Sequence, residues 1–233
     1  MKSRLLIPAA GRGTRLGASI PKALLPLDGV PMLVHTLRAF NAAEQLEGLV
    51  LVISDEDRPA FEACLASHFP RLSPTFVTGG AERQDSVRHG LDALDAATTE
   101  IVFIHDAARP FIQPATIRAV HDATLLHGAA TVAIPAVDTI LEADESGMLL
   151  RTPDRARLWQ CQTPQTFRLE VIKAAHAWAQ RENLRGTDDA TLVRGMGHPV
   201  ALVPGTRFNL KVTTPEDAAL AELLIRENLA CTA

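Results

Sequence analysis

The sequence predicts an α/β protein with a Rossmann-like, mostly parallel sheet, helices on both faces of that sheet and an extended β-arm. Short apolar runs alternate with amphipathic segments from residue 5 to residue 134. Strands that are apolar at every position are typical of parallel sheets buried on both faces. Polar clusters directly follow several of these runs, as expected where a ligand binds at the carboxyl ends of strands.

The predicted elements follow one another in a regular order. Apolar runs predict strands at 5–9, 49–54, 75–77, 101–105 and 130–134, with closing strands at 200–203 and 207–212. Amphipathic segments predict helices at 31–43, 58–69, 85–94, 114–126 and 169–182, and a short helix within 186–195. A final helix begins after Thr214, where Pro215 and Asp217 complete a capping pattern.

Residues 137–158 interrupt this pattern. They are polar, with alternating Thr, Leu, Arg and Asp around a turn at Gly147. We expect them to form a hairpin arm that leaves a single domain spanning residues 1–233. A solvated hairpin without further function is the simpler interpretation of such a segment.

Composition limits the kind of protein. A chain of 233 residues buries roughly 70% of its unfolded surface, so its core needs no covalent staples. Hydrophobic residues make up 47% of the chain, but Tyr is absent and aromatic residues are only 4%, so the core must be aliphatic. The net charge of −4 argues against a nucleic-acid-binding protein, which usually carries a broad basic face.

The cysteines and the apolar runs indicate a cytoplasmic protein. Cys64, Cys161 and Cys231 are odd in number and widely spaced, which argues against a disulfide framework or a zinc site. No run of about 20 apolar residues is present, so we expect no membrane span. The N-terminus lacks the apolar stretch and cleavage site of a signal peptide.

The first loop has the composition of a phosphate-binding segment. Between Pro8 and Gly17 the chain reads PAAGRGTRLG, so small residues let backbone N–H groups approach an anion closely. Arg12, Arg15 and the later Lys22 add charged donors for the oxygens of a triphosphate.

Other interpretations of this loop fit less well. A dinucleotide-binding loop requires G-x-G-x-x-G, whereas the third glycine here comes one residue late, at Gly17. The Walker pattern G-x-x-x-x-G-K-[ST] is absent. A plain glycine-rich turn remains open, but it does not account for the arginines and the Pro21-Lys22 pair.

The motifs taken together resemble a known family. The segments AAGRGTRLGASIPK, GGAERQDSV, HDAARPF, RLWQCQTPQTF, TDDA and NLKVTTPEDAALAE are similar to those of the 2-C-methyl-D-erythritol 4-phosphate cytidylyltransferase family. The resemblance covers essentially the whole chain. It implies transfer of a cytidylyl group from CTP to a small polyol phosphate, with Mg²⁺ bound mainly through the CTP phosphates.

The resemblance assigns a nucleotide site. It implies that the first loop and the second glycine loop bind CTP, and that Ser86 contacts cytosine; the residues are Ala9, Ala10, Gly11, Gly13, Gly80 and Ser86. A capped helix, with Asp85 or Ser86 satisfying free N–H groups, is the structural alternative. Members of the family often carry Asp where this chain has Ala81, which bears on nucleotide affinity and base choice.

The resemblance also assigns a substrate site. It implies that Asp106 and Arg109 hold the polyol hydroxyls, although an Asp106–Arg109 salt bridge would explain the same pair structurally. It implies that the arm reaches a second subunit of a homodimer and delivers Thr139 and Arg155 to the partner's substrate phosphate. Further substrate-binding positions implied by the resemblance are Thr163, Thr187 and Lys211.

The implied catalytic residues are all cationic. Arg15 and Lys22 would neutralise charge on the α-phosphate and the leaving group, while Arg155 and Lys211 would hold the attacking phosphate. Lys211 lies in the apolar segment NLKV, where an unpaired ammonium is costly, so a bound phosphate is its expected partner. The protein ligands of the metal are not determined by the sequence.

Three alternative functions remain open at this point. A cytidylyltransferase for another polyol phosphate, such as ribitol 5-phosphate, would carry similar motifs. An NAD-dependent oxidoreductase would share the sheet, and a non-catalytic nucleotide-binding module would bind CTP without releasing pyrophosphate.

Overall fold

The structure is a computed structural model that describes residues 2–11 and 20–229. Within these residues the strands are β1 (Ser3–Pro8), β2 (Pro26–Leu27), β3 (Val30–Pro31), β4 (Leu49–Ile53), β5 (Thr75–Thr78), β6 (Ile101–Ile104), β7 (Ala129–Pro135), β8 (Glu142–Ala143), β9 (Leu149–Arg151), β10 (Trp159–Arg168) and β11 (Ala201–Pro204). The α-helices are α1 (Met32–Ala42), α2 (Arg58–His68), α3 (Arg83–Asp92), α4 (Pro114–His127), α5 (Leu169–Arg181), α6 (Asp189–Gly195) and α7 (Pro215–Arg226).

A seven-stranded sheet forms the centre of the described chain, in the order β11-β7-β10-β6-β1-β4-β5. The pairs β6–β1, β1–β4, β4–β5 and β7–β11 are parallel. Strand β10 runs antiparallel to both of its neighbours, β6 and β7. The expectation of a mostly parallel α/β sheet is therefore confirmed.

Alternation along the strands divides the core between the two faces of the sheet. On β1, Leu5 and Ile7 belong to one cluster and Leu6 belongs to the other. The first cluster includes Phe40 of α1 and residues of α2 and α4, while the second includes Val87 of α3 and residues of α5 and α6. Because both faces are covered, every residue of β4 and β6 is buried and apolar, which is the pattern that the sequence showed.

Strand β10 was missed by the sequence-based predictions, and the strand predicted at 207–212 is wrong. The ten-residue strand β10 was not predicted, because its residues WQCQTPQTFR are rich in Gln and Thr and contain a proline. Residues 207–212 form a turn and an extended loop instead of the predicted closing strand. In this loop Asn209 donates to the side chain of Gln162 and to the carbonyl of Thr163, so side-chain hydrogen bonds replace a strand ladder.

A third apolar cluster holds the C-terminal helix. Leu224 of α7 packs with Met32 of α1, Phe111 and Val212. The predicted capping box is present, since the hydroxyl of Thr214 accepts the Asp217 N–H and the Asp217 carboxylate accepts the Thr214 N–H. The backbone N–H of Val212 donates to the carbonyl of Ala108 over 2.8 Å, which fixes the neighbouring residue, Lys211, beside the loop after β6.

Residues 137–158 contain a short exposed ribbon. Strands β8 and β9 pair antiparallel, and Gly147 takes a positive φ of 81° in the turn between them. Four apolar side chains here are at least 60% exposed, namely those of Leu141, Met148, Leu149 and Leu150. The division of the chain into one domain and an arm remains a prediction.

No helix in the described part of the chain has the length and apolarity required to cross a membrane.

Candidate active site

A pocket of about 300 Å³ lies where strands β1, β5 and β6 end. It therefore occupies the carboxyl edge of the parallel part of the sheet, where open α/β folds bind their ligands. The lining comes from the strand ends and the loops that follow them, the start of α3, the residues before β2 and the loop after β11, and comprises Pro8, Ala9, Ala10, Gly11, Lys22, Ala23, Gly80, Ala81, Glu82, Arg83, Ser86, Asp106, Ala107, Ala108 and Lys211.

The pocket gathers most of the predicted nucleotide residues. Ala9, Ala10, Gly11, Gly80 and Ser86 all line it. Predicted residues Gly13 and Arg15 lie outside the described residues, together with Arg12. The two glycine loops are thus brought to one edge of the sheet although about 70 residues separate them in the sequence.

Close backbone packing explains the glycine pair of the second loop. A Cβ atom on Gly79 would lie 2.6 Å from the Cβ of Ala10, so a side chain there would push the two loops apart. The Gly80 N–H donates to the hydroxyl of Ser86 over 3.0 Å. Because the hydroxyl of Ser86 acts there as acceptor, its hydrogen can still be donated to a ligand.

The capping alternative for Ser86 and Asp85 is wrong. Helix α3 begins at Arg83, two residues before the predicted start, and its N-cap residue Glu82 makes no side-chain cap bond. Ser86 therefore lies in the helix and bonds backward to the glycine loop. This geometry fixes the loop against α3 and leaves the helix N-terminus uncapped by either side chain.

Asp106 is the electrostatic centre of the pocket. Its Oδ2 lies 2.7 Å from Nζ of Lys211, and its Oδ1 lies 3.5 Å from Nε of Arg83. Burial alone would raise the pKa of this carboxyl, but the charges of Arg83 and Lys211 hold the pKa well below its usual range. Asp106 is therefore an ionised acceptor at neutral pH.

These contacts correct two expectations. The ion pairs of Asp106 run to Lys211 and Arg83, not to Arg109. The guanidinium of Arg109 instead donates to the carbonyl of Asn209 over 2.7 Å and to that of Cys161 over 3.4 Å. In addition, the ammonium of Lys211 is already paired with a carboxylate, so a phosphate is not needed to explain its position.

A buried histidine, His105, is linked to the backbone of Asp106 through the hydroxyl of Thr163. His105 is fully buried, and this burial lowers its pKa to about 4, so the ring is neutral at physiological pH. Its Nε2 lies 3.1 Å from the Arg109 carbonyl, which can only accept, so Nε2 carries the proton. The hydroxyl of Thr163 then donates to Nδ1 of His105 and accepts the backbone N–H of Asp106.

This arrangement gives Thr163 an observed structural role. The residue is 5% exposed, and its hydroxyl hydrogen is committed to His105. Thr163 can lie at this edge because β10 is antiparallel to β6, with Gln165, two residues after Thr163, opposite Ile104 at the end of β6. Contact of Thr163 with a substrate remains a prediction.

A second cavity of about 390 Å³ adjoins the pocket at Lys211. Arg109, Arg207 and Lys211 line it together with Val137 and Asp138 at the base of the arm. Three cationic side chains and one carboxylate give this cavity a positive character suited to a phosphate group.

Three predicted substrate residues are not brought into either cavity by the single chain. Thr139 and Thr187 are exposed. Arg155 is also exposed, and its Nη1 donates to the carbonyl of Val137 over 2.6 Å at the base of the arm. Their substrate contacts remain predictions that require either a second subunit or a bound ligand.

Arg83 was missed as a site residue. It lines the pocket, contacts Asp106 and forms a 2.8 Å ion pair with the buried carboxylate of Asp189. Its place in the polar cluster GGAERQDSV, directly after a buried strand, was the signal that could have identified it. Nothing in the local sequence indicated Asp189 as its partner.

Comparison with known proteins decides the family. The model of the 2-C-methyl-D-erythritol 4-phosphate cytidylyltransferase family matches residues 4–227. This chain belongs to that family. The matched range includes every predicted site residue, and the family is the one that the sequence motifs resemble.

Individual members of the cytidylyltransferase family are similar over nearly their full length. The enzyme of this name from Syntrophotalea carbinolica is 43% identical over 226 residues, covering 97% of each chain. The one from Bacillus cereus strain ATCC 14579 is 42% identical and covers 95% of this chain and 97% of its own. Membership of this family makes the chain a nucleotidyltransferase.

Solved structures of the cytidylyltransferase family share the fold. The crystal structure of 4-diphosphocytidyl-2C-methyl-D-erythritol synthase from Anaerococcus prevotii superposes with a TM-score of 0.85, at 27% identity, over 97% of this chain and 98% of that one. The cytidylyltransferase from Thermus thermophilus superposes with a TM-score of 0.78, at 35% identity, over 97% of this chain and 100% of that one.

Proposed function

We propose that this protein transfers the cytidylyl group of CTP to 2-C-methyl-D-erythritol 4-phosphate, giving 4-diphosphocytidyl-2-C-methyl-D-erythritol and pyrophosphate for isoprenoid precursor synthesis. The observation that carries the proposal is the pocket itself, in a chain whose family match spans residues 4–227. There Arg83 and Lys211 flank one ionised carboxylate, and Lys22 lines the same pocket beside the two glycine loops.

The nucleotide occupies the side of the pocket formed by the two glycine loops. Backbone N–H groups after β1, together with Lys22, provide positive potential for the triphosphate. The free hydrogen of the Ser86 hydroxyl and the backbone near Gly80 form a small site with donors and acceptors for a pyrimidine edge. Arg15 adds a further cation in this proposal.

The acceptor occupies the side formed by Asp106 and Lys211. An ionised carboxylate accepts hydrogen bonds from hydroxyl groups, so Asp106 is suited to a polyol. Lys211 and Arg109 line the adjoining positive cavity, where the phosphate of the acceptor would lie. Arg155 and Thr139 from the arm of a partner subunit would complete the phosphate site in a homodimer.

Catalysis then depends on positioning and charge. The acceptor phosphate is ionised near neutral pH, so its oxygen attacks the α-phosphorus in line without a general base. The bond to the β-phosphate oxygen breaks, and pyrophosphate leaves. Lys22 and Arg15 stabilise charge that grows on the α-phosphate and on the leaving group, while Lys211 offsets repulsion between the two phosphates.

Magnesium fits the site through the nucleotide. The described residues contain no cluster of three or more His, Cys, Asp or Glu side chains that could hold a metal on its own. Asp106 and Glu82 are the carboxylates among the pocket residues, and Mg²⁺ is often bound by one or two carboxylates plus substrate phosphates. When bound, the ion would neutralise negative charge on the phosphates.

One experiment tests the assignment. Pyrophosphate release is measured with CTP, UTP, ATP and GTP against 2-C-methyl-D-erythritol 4-phosphate, ribitol 5-phosphate and other polyol phosphates. We expect release only when CTP and 2-C-methyl-D-erythritol 4-phosphate are both present. Turnover with ribitol 5-phosphate alone would reassign the acceptor, and equal turnover with ATP would refute the pyrimidine site.

Two parallel measurements test the remaining alternatives. NADH-dependent absorbance change, with no pyrophosphate release, would indicate an oxidoreductase. CTP binding by calorimetry without turnover on any acceptor would indicate a non-catalytic module. The cytoplasmic location is part of the proposal and is supported by the widely spaced thiols of the sequence.

A further inference from the structure

One buried carboxylate near the pocket has no part in the proposed mechanism. Asp189 is the first residue of α6 and is 1% exposed. Its Oδ1 lies 3.0 Å from Nε2 of His176 on α5, and its Oδ2 lies 2.8 Å from Nη1 of Arg83 on α3. A carboxylate removed from water in this way is costly unless its charge and lone pairs are satisfied, and here both oxygens are.

The backbone of Asp189 is also fixed. The side-chain oxygen of Gln165, a fully buried residue of β10, accepts the N–H groups of Asp189 and Ala190 over 2.9 and 3.1 Å. The beginning of α6 is therefore attached to the central sheet. As a result, the Asp189 carboxylate is held at a defined place between α3 and α5.

From this fixed carboxylate a chain of alternating charges runs to the substrate pocket. Arg83 binds Asp189 through Nη1 and approaches Asp106 through Nε at 3.5 Å. Asp106 in turn binds Lys211 at 2.7 Å. Arg83, Asp106 and Lys211 line the pocket, whereas Asp189 does not.

We propose that Asp189 is a positioning residue, which holds Arg83 so that Asp106 remains paired with Lys211 in the geometry that the polyol phosphate requires. The inference rests on the proposed function, since it concerns the same pocket. Asp189, which lies outside the pocket, thus keeps the Asp106 carboxylate shared between Arg83 and Lys211.

The physical reason lies in the shape of the guanidinium group. Arginine presents a planar fork that binds a carboxylate bidentately when it is free to do so. With Nη1 anchored on Asp189, the group meets Asp106 only through Nε, and Oδ2 of Asp106 remains available to Lys211. Without the anchor, the fork closes on both oxygens of Asp106 and competes with the lysine.

The decisive variant is Asp189→Asn, which keeps the side-chain volume and removes the charge. We expect the KM for 2-C-methyl-D-erythritol 4-phosphate to rise about tenfold or more, a loss of the size found when a residue that orients a site is replaced. The KM for CTP should change less than about threefold. Asp188→Asn is the matched control, because it removes the neighbouring carboxylate while asparagine still caps α6 at the Thr191 N–H.

A double-mutant cycle separates positioning from a general loss of structure. In an Arg83→Gln background, Asp189→Asn should cause little additional loss in kcat/KM, because the residue through which it acts is already absent. A merely structural effect would instead multiply the loss caused by Arg83→Gln.

A second readout does not require activity. When Arg83 closes on Asp106, Lys211 is released, so its ε-amino group, which reacts as the neutral amine, should be acetylated faster by acetic anhydride, as measured by peptide mass spectrometry. We expect at least about a threefold increase in Asp189→Asn and none in Asp188→Asn. Unchanged labelling overturns the inference even if the protein is not a cytidylyltransferase, whereas an inactive wild type overturns only the proposed function.

Two remaining outcomes are also decisive. Increased labelling with an unchanged acceptor KM in an active enzyme would overturn the inference, since the geometry would not matter to the substrate. If Asp189→Asn does not fold, Arg83→Lys replaces it, because a single ammonium cannot bind Asp189 and Asp106 at once. The lysine has no fork that could close on Asp106, so the acceptor KM should rise while Lys211 labelling stays at or below the wild-type rate. A wild-type acceptor KM, or faster Lys211 labelling, would overturn the proposal.

Discussion

At the scale of single residues, the site contains two neighbouring buried groups, His105 and Asp106, whose charge states are decided differently: by burial for the histidine and by nearby cations for the aspartate. Asp106 stays ionised because Arg83 and Lys211 outweigh the effect of burial on its pKa. His105, one residue earlier, stays neutral because burial outweighs the nearby carboxylate. The neutral ring can accept the Thr163 hydroxyl, which in turn accepts the Asp106 N–H. Protonation of His105 at Nδ1 would remove the acceptor of the Thr163 hydroxyl and so disturb the hydrogen bonds that hold the backbone of Asp106.

His105 should make stability depend on pH. Its pKa is about 4 in the folded protein and near 6.5 in the unfolded chain, so between these values the unfolded chain binds the proton more readily. Acidification from pH 6.5 to 4.5 should therefore cost roughly 2–3 kcal/mol of unfolding free energy from this residue. Urea denaturation over this range should show the loss.

The comparison variant is His105→Gln, which should be less stable at pH 7 but should have a shallower pH slope. Burial also lowers the pKa of His35, which contributes a slope of the same sign to both proteins. The quantity that reports on His105 is therefore the difference between variant and wild type in the slope of unfolding free energy against pH. An identical slope in the two proteins would show that His105 is not the titrating group.

Lys22 should be essential for rate rather than for folding. Lys22 lines the pocket, where the proposed reaction would build charge on the α-phosphate and the leaving group. Lys22→Ala should lower kcat by about 10²–10³ with an unchanged circular dichroism spectrum, the usual effect of losing one charge-stabilising donor. Arg15→Ala should behave in the same way.

The control for this prediction is Lys2→Ala, which removes an exposed lysine at the opposite end of β1. Its kcat should equal that of the wild type. A folded Lys22→Ala protein with a near-normal kcat would show that Lys22 has no part in the chemistry.

At the scale of elements, one side-chain hydrogen bond and one glycine hold α3 close to the second glycine loop and to the sheet. Ser86 bonds to Gly80 and thereby joins α3 to the second glycine loop. Gly90 performs a related task within α3, because a Cβ there would lie 2.7 Å from Leu6 of β1. Helix α3 can therefore approach the sheet closely, which keeps Arg83 and Ser86 at the pocket.

The capping box of α7 gives a test at this scale. Thr214→Ala removes the hydroxyl that accepts the Asp217 N–H, so the unfolding free energy should fall by about 1 kcal/mol. Urea denaturation measures the change. Thr191→Ala, at an exposed position inside α6, is the matched control and should be neutral or slightly stabilising, since alanine favours helix. Equal stabilities for both variants would contradict a role of this cap.

At the scale of the whole molecule, the sheet order brings together residues that are distant in sequence. Asp106 follows β6, Lys211 follows β11, and the first glycine loop follows β1. Antiparallel β10 lies between β6 and β7 and places Thr163 beneath Asp106. The arm residues Thr139 and Arg155 are exposed in the single chain, and the proposed homodimer would use them in the partner's site.

Mixed dimers test this shared site. Arg155→Ala alone should raise the KM for the polyol phosphate more than the KM for CTP. Co-expression of Arg155→Ala chains with Lys22→Ala chains should restore activity, because one of the two sites in a mixed dimer then has both wild-type residues. Purified mixed dimers should reach about half of the wild-type activity.

Separately tagged chains allow the mixed species to be isolated and its composition to be confirmed. The control is a mixture in which one chain carries both substitutions and the other is wild type. Confirmed mixed dimers that are no more active than either parent would mean that Arg155 acts within its own chain or does not touch substrate.

The sequence alone determined much of the fold and part of the site. Apolar runs such as LVLVI and IVFI identified buried parallel strands, because only a sheet covered on both faces buries every side chain of a strand. The glycine loops and HDAARP were identified because ligand-binding residues follow such strands. The resemblance carried by these motifs gave the family that the comparisons then showed.

Only the tertiary structure decided how the charges of the site are paired. Strand β10 was not predicted because its sequence is polar. Several of its buried polar side chains find hydrogen-bond partners in other elements; the side-chain oxygen of Gln165, for example, accepts the N–H groups of Asp189 and Ala190. The Arg83–Asp189 pair joins residues 106 positions apart, and the Asp106–Lys211 pair crosses from β6 to the loop after β11. Local sequence patterns specify which face of an element is buried, but the packing of helices on the sheet determines which distant charges meet.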